Sequence, residues 1–375
     1  MILFLGAAGL LVLPLGIYLY ILVRRFLGVL FGDRRKRLQK GLSAVTAVAA
    51  AGLSVNLFSL WALLMFYFAA VSGVIDLLRL LWKKAGGGWG RTMELLYRSG
   101  AVAAVIVAVI TGYAYWNMHR IVVTDYTVET EKTIQAEEIR IVFVSDLHFD
   151  TTMDEEKLKD CCLRMEQEQP DLVVLGGDIV DEATLLREAE QAFQALAQID
   201  STFGTFYVYG NHDKGTYSKS CDFTQEELEQ AIRDAGVRIL EDETVILNDN
   251  LTITGRRDRS GAAVGNAPRK NPQELFADLQ QSGASSEAFH ILADHQPREM
   301  EEIAAAGFDL MLSGHTHAGQ MWPVGLVTEL FDKKTVNYGQ KSFGNMELVV
   351  SSGIAGWGYP LRTGKHSEYT VITVR

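Results

Sequence analysis

The chain has 375 residues, 48% of them hydrophobic, with a formal net charge of −11, which is enough for a membrane section plus a soluble domain with a full core. Residues 1–118 hold 12 Lys/Arg against 3 Asp/Glu and residues 119–375 hold 23 against 43, so the two parts carry net +9 and −20. The acidic majority excludes a nucleic-acid scaffold role, and a basic excess confined to short segments between apolar runs marks loops facing anionic lipid and cytoplasm.

The first apolar run, residues 1–23, is uncharged and long enough to cross a hydrocarbon core of ~30 Å, and Arg24 and Arg25 follow at once. A secretory signal peptide would carry its positive charge before the run and a small-residue cleavage site after it. Neither is present, so the run is expected to remain as an anchor. Residues 24–40 hold seven basic residues and one acid, and residues 83–98 four basic residues and one acid; both segments read as cytoplasmic. Between them, residues 41–82 are apolar over about twice the length one span needs, which predicts a two-helix hairpin turning near residues 56–59. The run 99–116 then crosses outward. About four spans are expected, in a multi-pass cell-membrane protein whose soluble domain lies on the extracytoplasmic side. Asp76 and Arg79 are predicted to form an interfacial pair with a snorkelling Arg. The expected division is a transmembrane region over 1–118, a tether over 119–138 and a catalytic domain over 139–375.

From residue 140 the pattern changes. Residues 141–144, 172–175 and 206–209 read as buried strands, and residues 154–169 and 182–198 have helical spacing with charged outer faces. The cysteines Cys161 and Cys162 fall on the first of these helices and, with Cys221, offer neither CxxC spacing nor a disulfide framework. Thr224 and Glu227 form a capping box that opens another helix. Strand alternating with helix implies parallel βαβ units. Further strand-like segments at 237–247, 251–254, 290–292, 310–312, 348–351 and 369–374 exceed what one covered sheet needs, so two sheets packed face to face with helices outside are expected.

The polar residues that carry chemistry fall where strands stop. Asp146 and His148 follow the first strand, Asp178 the second, and Asn211, His212 and Asp213 the third, while His295, His315 and His317 follow two later ones. Carboxyl ends of strands in α/β sheets converge on one crevice. Five of the eight histidines lie in this set; His119, His290 and His366 lie outside it and read as ordinary surface or core residues. The i, i+2 spacing of Asp146/His148 and of His315/His317 aims two donors into one space.

In order, DLH, GGD, GNHD, a separate His before Gln-Pro, and GHTHAGQ resemble the calcineurin-like metallophosphoesterases, in particular their bacterial membrane-associated branch. The resemblance covers residues 139–374 and implies a four-layer αββα sandwich, in agreement with the two-sheet reading. It implies one divalent ion on Asp146, His148, Asp178 and His317, and a second on Asp178, Asn211, His295 and His315, with Asp178 bridging. Mixed imidazole and carboxylate donors suit Mn, Fe or Zn. It further implies His212 as the group that protonates the leaving oxygen, with Asp213 as its orienting partner. Two departures stand out: Ala318 replaces a common Gly, and residues 365–367 lack the usual Arg-Pro before the Glu, although Arg362 is kept after Pro360. The function implied is hydrolysis of phosphate esters, with phosphodiester or pyrophosphate bonds favoured and lipid-linked, cell-wall or nucleotide-sugar substrates suggested by the bilayer. Met321, Trp322, Trp357, Tyr359 and Pro360 are candidates for an acyl-binding lip. The alternative is a catalytically silent membrane scaffold or sensor that keeps the metal-binding domain.

Overall fold

The computed structural model describes residues 2–32, 35–134, 137–215, 217–218, 221–260 and 268–375. Residue 1 of the first apolar run, residues 33–34 of the first basic segment and residues 135–136 of the expected tether lie outside the described residues. The chain divides into two compact units, Met1–Ala114 and Tyr115–Arg375.

In the first unit the apolar runs form helices: α1 (Ile2–Phe31), α2 (Lys36–Leu53), α3 (Leu60–Lys84), the short α4 (Arg91–Ser99) and the start of α5 (Ala101–His119). The hairpin turn falls where polar residues interrupt the run. The Asn56 side chain accepts from Phe58 N at 3.2 Å, and Ser59 caps α3 by accepting from Ala62 N at 3.1 Å. Small residues let α1 and α2 approach closely: a Cβ at Gly16 would lie 3.2 Å from Ala51 Cβ. Among the described residues three helices are long and apolar enough to cross a membrane, Gly9–Phe31, Leu60–Lys84 and Ala101–His119. The first helix of the hairpin, α2, is not among these three because it carries Lys36, Arg37 and Lys40 in its first turns. The expected Asp76–Arg79 pair does not form either. Asp76 accepts from both terminal nitrogens of Arg25 at 2.8 and 2.9 Å and from the Tyr18 hydroxyl at 2.9 Å. Arg79 instead donates to Glu94 on α4 at 2.8 and 3.0 Å. Sequence neighbours at i, i+3 lost to partners that packing brings closer.

In the second unit two six-stranded sheets stack. The first has strand order β1-β12-β2-β3-β4-β5, built from β1 (Ile121–Val128), β2 (Ile139–Val144), β3 (Leu172–Leu175), β4 (Thr205–Tyr207), β5 (Arg238–Ile239) and β12 (Ser367–Val374). The second runs β10-β11-β9-β8-β7-β6, from β6 (Glu243–Asn248), β7 (Leu251–Gly255), β8 (Phe289–Ala293), β9 (Leu310–Ser313), β10 (Gly339–Phe343) and β11 (Met346–Val350). Phe143, Val174, Ile253, Ile291, Leu312 and Val349 fill the space between the sheets. Outside the first sheet pack α6 (Glu155–Gln167), α7 (Leu186–Leu196) and α8 (Gln225–Asp234), whose apolar faces bury Leu158, Phe193 and Leu228. Outside the second, α9 (Pro272–Gln281) and α10 (Met300–Ala306) bury Leu275, Leu279 and Ile303. This is the expected αββα arrangement, and the Thr224/Glu227 capping box opens α8.

Within the expected tether, residues 121–128 form the strand β1. They pair in parallel with β12 from Ile121↔Ser367 to Val128↔Val374. Only Arg120 separates α5 from β1. The segment 237–247 likewise splits into β5 and β6, with Asp242 in a left-handed turn between them. After β9 the chain forms a single 3-10 turn at His317–Gly319 and then α11 (Val324–Phe331).

Candidate metal centre

Strands β2, β3, β4, β8 and β9 all deliver their following turns to one place. There Asp146, His148 and His317 form one group of donors and Asp178, His295 and His315 a second, each with its ligand-type atoms within 4.8 Å of one another. The groups share a border: His295 Nε2 lies 3.1 Å and His148 Nε2 3.8 Å from Asp178 Oδ2. Asn211 Oδ1 lies 3.2 Å from His295 Nε2. All seven residues expected to ligate therefore meet, although no two groups of them share a strand-end turn except Asp146 with His148 and His315 with His317.

The backbone there is held in unusual geometry. Asp146, His148, Asp178, His315 and His317 all have left-handed φ, between 40° and 71°, a conformation that costs roughly 1–3 kcal/mol per non-Gly residue and clusters at functional sites. Glycines make the crowding possible. A Cβ on Gly210 would sit 2.1 Å from Asp178 Oδ1, and one on Gly314 2.3 Å from Asp146 Oδ2. The glycines of the GNHD and GHTH runs are thus required by the carboxylates they touch.

The hydrogen bonding fits a cation. Buried polar atoms are almost always paired, yet Nε2 of His148 and Nδ1 of His317 are buried without a hydrogen-bond partner. Burial and the neighbouring His295 push His315 down to about 4, and burial, with His148 and Arg362 nearby, holds His317 well below its ordinary value. Both imidazoles are therefore in the neutral form that ligates. Burial alone would raise Asp178, but the adjacent His295 outweighs it and keeps the carboxyl well below the usual range. His295 Nδ1 lies 2.8 Å from the Gly176 carbonyl, which fixes that ring nitrogen as donor and leaves Nε2 toward Asp178.

His212 stands beside these groups, its ring 5.3 Å from that of His148. Its partner is not Asp213. The Asp213 carboxylate is fully buried and accepts the backbone N–H groups of Asp178, Ile179, Val180 and Gly210 at 2.6–3.0 Å, so it knits the GGD and GNHD turns together. The carboxylate on His212 Nδ1 belongs to Glu182, at 2.9 Å. Burial would lower His212, but the Glu182 hydrogen bond and the Asp178 charge raise it. Asp181, next in the chain, places Oδ2 3.4 Å from His148 Nδ1. Glu182 was hidden in the sequence because residues 182–198 read as one helix with a charged outer face, whereas α7 starts only at Leu186. The acids sit in the turn before it, directly after GGD.

Trp357 and Tyr217 flank His212, with ring centroids at 5.4 and 5.0 Å. Arg362 does not face outward. It is buried, with its guanidinium donating to the carbonyls of Ser352 and Ala355 at 2.6 Å and of His366 at 3.2 Å. Gln320, last residue of GHTHAGQ, donates its amide to the carbonyls of Trp357, Tyr359 and Leu361 at 3.1–3.2 Å. Those two side chains shape the loop 353–366 that borders the site. Of the histidines outside the set, His290 meets Thr252 Oγ1 and His366 meets Asn117 Oδ1, each at 2.8 Å.

Residues 139–319 match the family described as calcineurin-like phosphoesterase. A metallophosphoesterase of Aquifex aeolicus is 30% identical over 72% of this chain and 98% of its own length. The chain belongs to the metallophosphoesterase family. A transmembrane protein with metallophosphoesterase domain from Danio rerio is 26% identical over 86% of this chain and 73% of its own. Phosphodiesterase YaeI of Escherichia coli is 29% identical over 62% of this chain and 81% of its own. This metallophosphoesterase is thus a phosphoric ester hydrolase with clustered metal-binding residues, and its apolar helices fit membrane association.

Proposed function

We propose that this metallophosphoesterase is anchored in the membrane by residues 1–118 and hydrolyses phosphodiester or pyrophosphate bonds, through residues 139–375, on an amphiphilic, cell-wall or nucleotide-sugar substrate. The observation that carries the reading is the pair of buried donor groups meeting at Asp178, with imidazole nitrogens that no protein atom satisfies. Asp146, His148, Asp178 and His317 would hold one divalent ion, and Asp178, Asn211, His295 and His315 a second, in a donor set suited to Mn, Fe or Zn. Such ions, when bound, supply hydroxide near neutral pH and neutralise the charge that develops in an in-line phosphoryl displacement.

The remaining work falls to this chain's own side chains. Glu182 takes His212 Nδ1, which leaves Nε2 free to carry a proton to the leaving oxygen. Asp213 holds the turns of Asp178 and Asn211 in place through four backbone N–H groups. Asp181 restrains the His148 ring, as carboxylates beside ligating histidines do. The test is hydrolysis of bis-p-nitrophenyl phosphate and p-nitrophenyl phosphate by the full chain in nanodiscs, with chelator and then with Mn²⁺ or Zn²⁺. Metal-restored turnover on the diester supports the reading. A folded protein that binds two ions and hydrolyses neither compound would sink it in favour of a scaffold.

We infer further that α2, about 27 Å long at 1.5 Å per residue, completes a fourth crossing with its cations at the inner surface, which puts the catalytic domain outside the cytoplasm. Impermeant thiol labelling of Gln230→Cys in intact cells checks this: protection until lysis would place the domain inside.

A further inference from the structure

The helix α11 follows the GHTHAGQ run and buries none of its own residues. Its sequence is almost entirely apolar, and Val324, Leu326, Val327, Leu330 and Phe331 are 47–85% exposed, with Trp322 just before it at 65%. Scattered exposed apolar residues need no explanation, but six on one short segment mark a surface made to be covered. Lys333 and Lys334 follow, both exposed. The acid between them and the helix, Asp332, is paired with Arg298, which leaves Glu329 as the only other acid on the segment.

Two further observations say what covers it. First, the last turn of α5, a helix apolar enough to cross a membrane, is joined to the same region. Asn117 donates to the carbonyls of Arg362 and Lys365 at 3.1 and 3.2 Å, and Ser367 Oγ donates to Met118 O at 2.7 Å. The neighbouring Tyr115 and Trp116 are exposed and Arg120 stacks on Trp116, the aromatic and basic residues that mark a membrane–water boundary. Second, α11 is tied to that loop: Trp322 N donates to Thr363 Oγ1 at 2.8 Å. Between α11 and residues 363–365 lies a cleft of about 530 Å³ lined by the apolar Met321, Trp322 and Leu326 together with the polar Glu329, Asn337 and Lys365. Ala318, which also lines the cleft, is the residue after His317, so the lining comes within one residue of a donor along the chain. Lys365 lies over the Tyr338 ring at 4.9 Å.

We propose that Trp322 and α11 form an interfacial helix that lies in the headgroup–acyl boundary of an anionic leaflet, with Lys333, Lys334 and Lys365 at the lipid phosphates. The cleft then receives the apolar part of a phosphate ester resident in that leaflet. The second half of this proposal rests on the phosphoesterase reading; the first does not.

The experiment uses the full chain in nanodiscs of phosphatidylcholine with about one-third phosphatidylglycerol, a fraction chosen to give an anionic surface. A spin label is placed at Leu330→Cys, or at Gln230→Cys on α8 as control, in a Cys221→Ser background. Expected is a Leu330 label that collides with oxygen and is shielded from a water-soluble nickel complex, and a control label with the reverse behaviour. Water-like accessibility at Leu330 would overturn the proposal, and so would protection that appears only with Leu330–Leu330 dipolar broadening between copies. In the activity arm, Leu330→Asp/Phe331→Asp should lower kcat/KM toward a nanodisc-embedded acyl phosphodiester by roughly tenfold or more, the scale of losing two large apolar contacts. Turnover of soluble bis-p-nitrophenyl phosphate should stay within about twofold, because neither residue touches the donor groups. Equal loss on both substrates would overturn the cleft assignment. A lipid-shielded Leu330 label in a protein inactive on every ester would leave the docking helix standing and remove the phosphoesterase reading alone.

Discussion

Each unit of this chain buries a polar cluster, and the two clusters are finished differently. In the first, Asp76 is covered by Arg25 and Tyr18, and Arg79 by Glu94, so each charge has its counter-charge and only Arg79 Nε lacks a hydrogen-bond partner. In the second, His148 and His317 keep buried nitrogens without partners while five surrounding residues hold left-handed backbone. A cluster whose charges satisfy one another is complete as it stands and serves packing. A cluster that is both strained and short of partners is built around something the chain itself does not supply. The difference separates structural from chemical polarity without reference to any relative.

The strongest way to break the comparison is Asp178→Ala, which removes the carboxylate common to both donor groups. Diester turnover should fall by at least ~10³-fold, with far-UV circular dichroism unchanged and bound metal reduced in mass spectrometry. His212→Ala comes next, with a loss of ~10²–10⁴-fold and two ions retained; matching metal loss would make His212 a ligand instead. Glu182→Gln should cost less, ~10–100-fold, whereas Asp213→Asn should act mainly by lowering thermal stability, because its four N–H donors outlast the charge only in part. Asp76→Ala in the first unit should leave turnover intact and destabilise by about 1–3 kcal/mol, discounted for the partial exposure of the pair. Replacing both partners, Arg25→Met with Asp76→Leu, should restore most of that; failure to do so would mean the first cluster is not merely structural. The smallest effect concerns His290, far from the donors. Burial and the Lys132 charge push it down to about 4, below its unfolded value near 6.5. Its contribution to stability is therefore whole above pH 6.5 and is lost as pH falls toward 4, at no more than about 1.4 kcal/mol per pH unit. Chemical denaturation of wild type and His290→Phe between those values measures it, and the variant should show the shallower slope.

The donors were legible in the sequence because buried strands end abruptly and the next residues are Asp, His or Asn, a local signal. The four layers followed from strands outnumbering one sheet. What stayed hidden depended on distant partners. β1 could not be told from a tether because its only neighbour, β12, lies more than 200 residues on. Arg362 had no role legible from its position after Pro360, and only the converging carbonyls of Ser352, Ala355 and His366 show it as a loop clamp. Glu182 was masked by an apparent helical period that starts one turn too early. The helix α11 escaped notice since residues 324–331 interrupt their apolar run only at Gly325, Thr328 and Glu329, too few positions for a period to show.

One joint bears on the proposed membrane-resident substrate. A flexible tether of twenty residues would let the domain roam over a root-mean-square distance of ~25 Å, sampling solute from the bulk. Here a single residue, Arg120, separates α5 from β1, and Asn117 grips the carbonyls of Arg362 and Lys365. On the proposed anchoring and the proposed leaflet-resident ester, the search would run in two dimensions rather than three, and the quantity governing encounter would be the surface density of the substrate rather than its concentration in solution.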